Sequence, residues 1–199
     1  MTTSPVVLVG EPGGTLSSLD PKAPLVLDTH TLGRRPGSMK EQRITVVAPE
    51  GLGVEMVGVP KDAELELDLR FESVMEGVLV SGTADLPIEG ECARCLDELD
   101  FSMEVEFQEL FVYDDTRSGS GADEEEHRLD GDLLDLEPVL RDAVVLALPL
   151  SPLCQDDCPG LCTECGVRLA DAGPDHSHDA ADPRWAALQG LIETRVEEG

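Results

Sequence analysis

Residues 63–71 read AELELDLRF. Ala63, Leu65, Leu67, Leu69 and Phe71 alternate with Glu64, Glu66, Asp68 and Arg70. In an extended chain successive side chains point to opposite faces, so a period of two separates the apolar set from the charged set. A helix would scatter both sets around its circumference. The segment therefore reads as a strand with one buried and one wet face, the usual habit of an antiparallel sheet.

The pattern continues on both sides. Gly77 marks a turn, and Val78, Val80, Gly82, Ala84, Leu86 and Ile88 repeat the alternation. A third long run sets Leu99, Phe101, Met103, Val105 and Phe107 inward against Asp100, Ser102, Glu104 and Glu106. Acid-coated outer faces discourage pairing with other chains. Upstream, Leu25–Leu27, Arg43–Ala48 and Val54–Val59 are predicted as shorter strands, the last ended by Pro60, and residues 33–40 as a loop or short turn. Downstream, Asp135 is a candidate N-cap with Pro138 in the first turn of a helix. Its apolar face holds Leu136, Val139, Leu140, Ala143, Val144 and Ala147, and Pro149 ends it. A last helix is predicted after Asp182 and Pro183, with Trp185, Leu188, Leu191 and Ile192 on one stripe. The expected fold class is α+β: mainly an antiparallel sheet or barrel-like core, a few helices and a C-terminal zinc-binding element. The expected division is a flexible arm over 1–23, a β-rich core over 24–153 with a disordered acidic loop at 114–132, and a zinc knuckle with a helix over 154–199.

The 199 residues suffice for a real hydrophobic core. They carry 42 acidic and 14 basic side chains, a formal net charge of -28. Non-specific binding to a nucleic-acid backbone works by Lys and Arg displacing counterions, so this charge disfavours naked RNA. A basic protein partner suits it better, although simple solvation of an acidic surface is an equal account. Only residues 1–40, with four basic and three acidic groups, escape the acidic excess. Within it Arg34, Arg35 and Lys40 are candidates for RNA contact, and Arg94 is a fourth further on. The opening MTTSPVVLVGEPGG has no basic stretch followed by a sustained apolar run, and no segment approaches ~18 uninterrupted apolar residues. The expected setting is the cytoplasm, with no membrane association.

In that compartment six cysteines favour metal over disulfides. Four lie in twelve residues, PLCQDDCPGLCTECG: Cys154, Cys158, Cys162 and Cys165. Thiolates so close repel one another unless a cation holds them, and a tetrahedral zinc ion with four sulfurs at ~2.3 Å does so. These four are the expected metal ligands. Gly166 and Gly160 would allow tight turns that aim backbone N–H groups at sulfur. The pair Cys92 and Cys95, in GECARCLDEL, has several readings: a ligand-free turn, an auxiliary contact, a redox pair, or completion of a zinc site with Cys162 and Cys165. His176 and His178 could ligate zinc too, but a polar loop favours plain exposure.

An enzyme is not expected. Phosphate-binding, nucleophile-elbow, zinc-protease and dinucleotide-binding motifs are absent, as is the H-x-E of zinc deaminases. A zinc closed by four sulfurs also leaves no open position for a catalytic water.

Four segments taken in order resemble the YceD family, linked to accumulation of 23S ribosomal RNA. They are ECARCLDEL at 91–99, FQELFVYD at 107–114, DLEPVLRDAVVLALPLSPLC at 135–154 and CPGLCTECG at 158–166. The resemblance implies a non-enzymatic cytoplasmic factor supporting synthesis, processing or stability of large-subunit ribosomal RNA. It also implies a large-subunit ribosomal protein or pre-ribosomal particle as partner, and carries over no catalytic residue. The alternatives are a zinc-ribbon-type interaction module and a thiol redox or metal-handling protein.

Overall fold

The structure, a computed structural model, describes residues 19–113 and 127–178. The strands are β1 (Val26–Asp28), β2 (Met39–Val47), β3 (Gly53–Val54), β4 (Val57–Gly58), β5 (Glu64–Ser73), β6 (Gly77–Glu91), β7 (Glu98–Val112) and β8 (Leu133–Asp135). Among the described residues there is one α-helix, α1 (Glu137–Ala147). Most of the structure is thus antiparallel sheet with one short helix.

The alternation over 63–71 becomes β5, in which Leu65, Leu67, Leu69 and Phe71 are buried and Glu64, Glu66, Asp68 and Arg70 exposed. β5 pairs antiparallel with β2 on one side, Leu67 opposite Ile44, and with β6 on the other, Leu67 opposite Ala84. β6 is the centre of the six-stranded sheet. It pairs with β5, with β7, and near its end with β4, which carries β3. A second, two-stranded sheet joins β1 to β8.

Two units emerge along the chain. The first comprises the residues to Gly90 together with Leu99–Leu150; the second comprises Glu91–Glu98 and the chain from Ser151. The division expected from sequence falls at 153/154; unit two also takes in Glu91–Glu98, which holds the link from β6 to β7. Unit one has a continuous apolar core in which Leu65, Val80, Leu86, Ile88, Phe111, Leu134, Leu140 and Val144 are almost fully buried.

Local differences have local causes. Val54–Val59 is a tight hairpin, not one strand: Val54 pairs with Val57, and the backbones of Gly53 and Gly58 approach too closely for any Cβ. Phe101 is exposed because only the later part of β7 turns its apolar face to the core, through Val105, Phe107 and Phe111. In α1, Asp135 Oδ1 accepts from the Glu137 N–H at 3.0 Å, two residues on, while Leu136 occupies the N-cap position. Ala147 is exposed, and Leu148 takes the buried place at the helix end. The end of the acidic loop is ordered: Leu129 is buried, and its N–H donates to the Val112 carbonyl at 3.0 Å. The predicted arm up to Ser18, residues 114–126 of the predicted loop, and the last helix with Trp185, Leu188, Leu191 and Ile192 lie outside the described residues. No helix among the described residues is long and apolar enough to cross a membrane.

Candidate metal centre

All six cysteines belong to unit two. Two CxxC turns organise it. In CARCLD the Leu96 N–H donates to the Cys92 carbonyl at 2.9 Å, and the Cys92 N–H donates to the Asp97 carbonyl at 2.7 Å. In CTECGV the Gly166 N–H donates to the Cys162 carbonyl at 2.9 Å, and the Cys162 N–H donates to the Val167 carbonyl at 2.8 Å. Offset by seventy positions, the two turns have the same hydrogen bonds. Both need a left-handed residue after the second cysteine, and both have one: Leu96 at φ 61° and Gly166 at φ 73°. Asp97 and Arg168, which follow the two turns, form an ion pair.

The segment from Ser151 packs onto the first turn. The Ala93 N–H donates to the Pro152 carbonyl at 2.8 Å, and the Leu161 N–H to the Arg94 carbonyl at 3.1 Å. Gly160 sits at φ 78°, and a Cβ there would lie tightly against the Arg94 carbonyl oxygen, at 3.1 Å. Arg94 closes this contact by donating from Nη1 to the Cys158 carbonyl at 3.0 Å.

These contacts assemble two ligand sets. Cys92, Cys95, Cys154 and Cys158 have their sulfurs within 4.8 Å of one another, as do Cys162, Cys165, His176 and His178 with their ligand atoms. The quartet Cys154, Cys158, Cys162 and Cys165 expected from spacing is not gathered at one point: its first pair joins Cys92 and Cys95, its second pair the two histidines. The geometric reason is that each CxxC turn presents two sulfurs to one side and leaves two positions for donors from elsewhere.

In the first set Cys92 Sγ lies 3.8 Å from Cys158 Sγ, and Cys95 Sγ lies 3.6 Å from Cys154 Sγ. Sulfurs at ~2.3 Å from a tetrahedral zinc are ~3.8 Å apart, whereas a disulfide needs ~2.05 Å. The cysteines are free thiols, spaced for a metal. Burial opposes ionisation of Cys92, yet N–H groups of Cys95, Arg94 and Cys154 aimed at its sulfur bring its pKa down to about 6. Burial, reinforced by the neighbouring thiols Cys92, Cys154 and Cys158, pushes Cys95 up to about 12. Cys154 is raised as well, first by its hydrogen bond with Cys158. Four thiols so placed cannot all ionise unaided; a divalent cation held between them would supply the missing charge.

In the second set Cys162 Sγ is 3.2 Å from His178 Nε2, Cys165 Sγ is 3.8 Å from His176 Nε2, and the two Nε2 atoms are 3.1 Å apart. Zinc–nitrogen bonds of ~2.0–2.1 Å and zinc–sulfur bonds of ~2.3 Å require edges of roughly 3.3–3.8 Å; the two shorter edges here fall just below that range, so the set needs only a slight opening to close around one ion. Interaction with His176 and then the N–H groups of Cys165 and Glu164 bring Cys162 down to about 6. Glu164 lies 3.7 Å from His178 Nδ1, on the side away from the ligand set, where a carboxylate favours Nε2 as the donor. The first set is mostly buried, the second open to solvent.

The four cations expected to touch RNA are divided between the two units. Arg34 stacks over the Tyr113 ring at 4.7 Å and reaches the Gly131 carbonyl, and Lys40 donates to Thr31 Oγ1 at 3.3 Å, both in unit one. Arg35 lies in the same loop, exposed. Arg94 is in unit two, braced against Cys158.

The profile of the family described as "Large ribosomal RNA subunit accumulation protein YceD" matches residues 80–192, more than half of the chain. The chain belongs to the YceD family. Both ligand sets fall inside the matched span. An uncharacterized protein of Mycobacterium tuberculosis is 47% identical over 171 residues, covering 85% of this chain and 82% of its own length. One from Mycobacterium leprae is 41% identical over 178 residues, covering 88% and 81%. The uncharacterized protein YlbN of Bacillus subtilis is 25% identical over 126 residues, covering 63% and 70%. No solved structure matches the chain.

Proposed function

We propose that this chain is a non-enzymatic cytoplasmic factor that supports 23S ribosomal RNA synthesis, processing or stability in large-subunit biogenesis, with zinc holding unit two together. The YceD match over residues 80–192 carries this reading. Thiolate and imidazole donors at tetrahedral spacing favour zinc over harder cations. A set closed by four protein donors leaves no position for a substrate or an activated water, which favours an architectural role.

The partner on this reading is a basic large-subunit ribosomal protein or a pre-ribosomal particle. A net charge of -28 repels a bare polyanion. Arg34, Lys40 and Arg94, three of the four cations nominated by sequence to meet RNA (Arg35 being the fourth), already have partners within the protein. The second reading, a zinc-ribbon-type interaction module serving another complex, is favoured by the paired CxxC turns. Depleting the protein and measuring the ratio of 23S to 16S RNA separates the two. A fall in that ratio, with the tagged protein co-sedimenting with large-subunit precursors, is expected. An unchanged ratio and co-purification with an unrelated complex would favour the second reading. Tight binding of bare 23S fragments at physiological salt, with indifference to basic ribosomal proteins, would overturn the assignment of partner.

A further inference from the structure

We propose that each chain carries two zinc ions of unequal lability: one retained by Cys92, Cys95, Cys154 and Cys158, and one exchangeable at Cys162, Cys165, His176 and His178. This rests on the reading that both ligand sets hold zinc.

Three observations separate the sets. The first is access. Cys92, Cys158 and Cys95 are 0%, 3% and 8% exposed and only Cys154 of that set is open, whereas Cys165, His176 and His178 are exposed and Cys162 is half-buried. Zinc leaves a protein fastest when an incoming ligand can reach the ion before all protein donors have let go. Three buried sulfurs leave an approach only from the side of Cys154, whereas the open set permits it from three of its four donors.

The second is chain connectivity. The first set joins residues about sixty positions apart, 92–95 and 154–158, and its sulfurs are enclosed by the bonds from Ala93 to Pro152 and from Arg94 to Cys158. Losing that ion would separate two distant segments, so its binding is coupled to the fold of unit two. The second set comes from one stretch, 162–178. The bonds of its turn, between Cys162, Gly166 and Val167, do not involve the histidines. The residues between turn and histidines are held locally, by the Asp171 and Ala172 N–H groups on the Arg168 carbonyl and by the His176 N–H on the Gly173 carbonyl.

The third is donor chemistry. Four thiolates hold zinc by more charge than two thiolates and two neutral rings. Burial, connectivity and charge all favour departure from the same set. Occupancy of the outer set then decides whether the 169–178 segment is tied to the CTECGV turn, so that available zinc regulates the surface that unit two presents.

The test uses the full-length protein, purified reduced and zinc-loaded, with zinc counted by elemental analysis and its release followed with a chromogenic chelator. Two zinc ions per chain are expected, released in two phases of equal amplitude, the faster by about tenfold or more, a scale set by the contribution of surrounding contacts to metal sites. His176→Gln with His178→Gln should remove the fast phase, leave one slowly released ion, and preserve the amide protection of the first turn. Cys162→Ser with Cys165→Ser should do the same. Cobalt substitution gives an independent readout: sulfur-to-cobalt absorption from the retained site should be about twice that from the exchangeable one, following four thiolates against two. One ion per chain in the parent protein would overturn the proposal while leaving zinc in place. Two ions with equal release rates, or a fast phase that survives the histidine variant, would overturn it as well. Absence of bound zinc would remove the underlying reading.

Discussion

Unit one and unit two bury different things. In unit one the interior is Leu65, Leu67, Val80, Ile88, Phe111 and Leu140, a packed apolar core under a wide sheet. Among the described residues of unit two the buried side chains are Pro152 and three cysteines, Cys92, Cys95 and Cys158, while Val167 and Leu169 are exposed. A small unit without apolar burial cannot offset its chain entropy by hydrophobic transfer and needs a staple. The contrast separates two sources of stability: dehydration in unit one and, on the proposed zinc reading, ligand bonds in unit two.

Removing the metal should break the comparison most visibly. A structural zinc contributes on the order of 10–16 kcal/mol of apparent binding free energy, which is folding free energy for the segment it holds. Chelation under reducing conditions should therefore abolish amide protection at Leu96, Cys162 and Gly166 and leave Leu67, Val80 and Phe111 protected. Hydrogen exchange reads both at once. Protection persisting in unit two after complete metal loss would mean that something other than ligand bonds holds it.

The complementary change lies in unit one. Phe111 is 1% exposed. Phe111→Ala should cost about 3–5 kcal/mol through lost burial and the cavity left behind. It should lower the urea midpoint of unit one and leave zinc content unaltered. Loss of zinc in this variant would show that the two units do not stand independently.

The same contrast explains what the sequence made legible. The period of two over 63–71 is a local record of a face, so β5 could be read directly, as could the apolar stripe of α1. The Val54–Val59 hairpin was not, because its cause is the close approach of Gly53 to Gly58, and neither residue carries a hydrophobic signal. The ligand sets were hidden for a related reason. Spacing along the chain groups Cys154 with Cys165, but the CxxC turn presents only two sulfurs in one direction. Cys92 and Cys95, far away in sequence, supply the partners for Cys154 and Cys158. The signal was present in the kinship of CARCLD and CTECGV: two turns with two donors each require two more donors each, and His176 and His178 were the remaining candidates.

The smallest effects sharpen the kinship of the two turns. Gly166 sits at φ 73° with open space where a Cβ would be, so Gly166→Ala should cost the conformational penalty of about 1–2 kcal/mol less roughly 0.5–1 kcal/mol for the lower freedom of an unfolded alanine. Leu96 occupies the matching position at φ 61° and bears that penalty in the native protein. Leu96→Gly would relieve about 1–2 kcal/mol of it and give back roughly 0.5–1 kcal/mol through the greater freedom of an unfolded glycine. Because Leu96 is 56% exposed, little apolar burial is lost. The net expectation is a gain of up to about 1.5 kcal/mol, opposite in sign to Gly166→Ala. The chelator concentration at which each turn loses half its amide protection measures both changes on one scale. A Leu96→Gly variant that gives up its metal more readily than the parent would show that the leucine side chain has a role in the first turn for which the second has no counterpart.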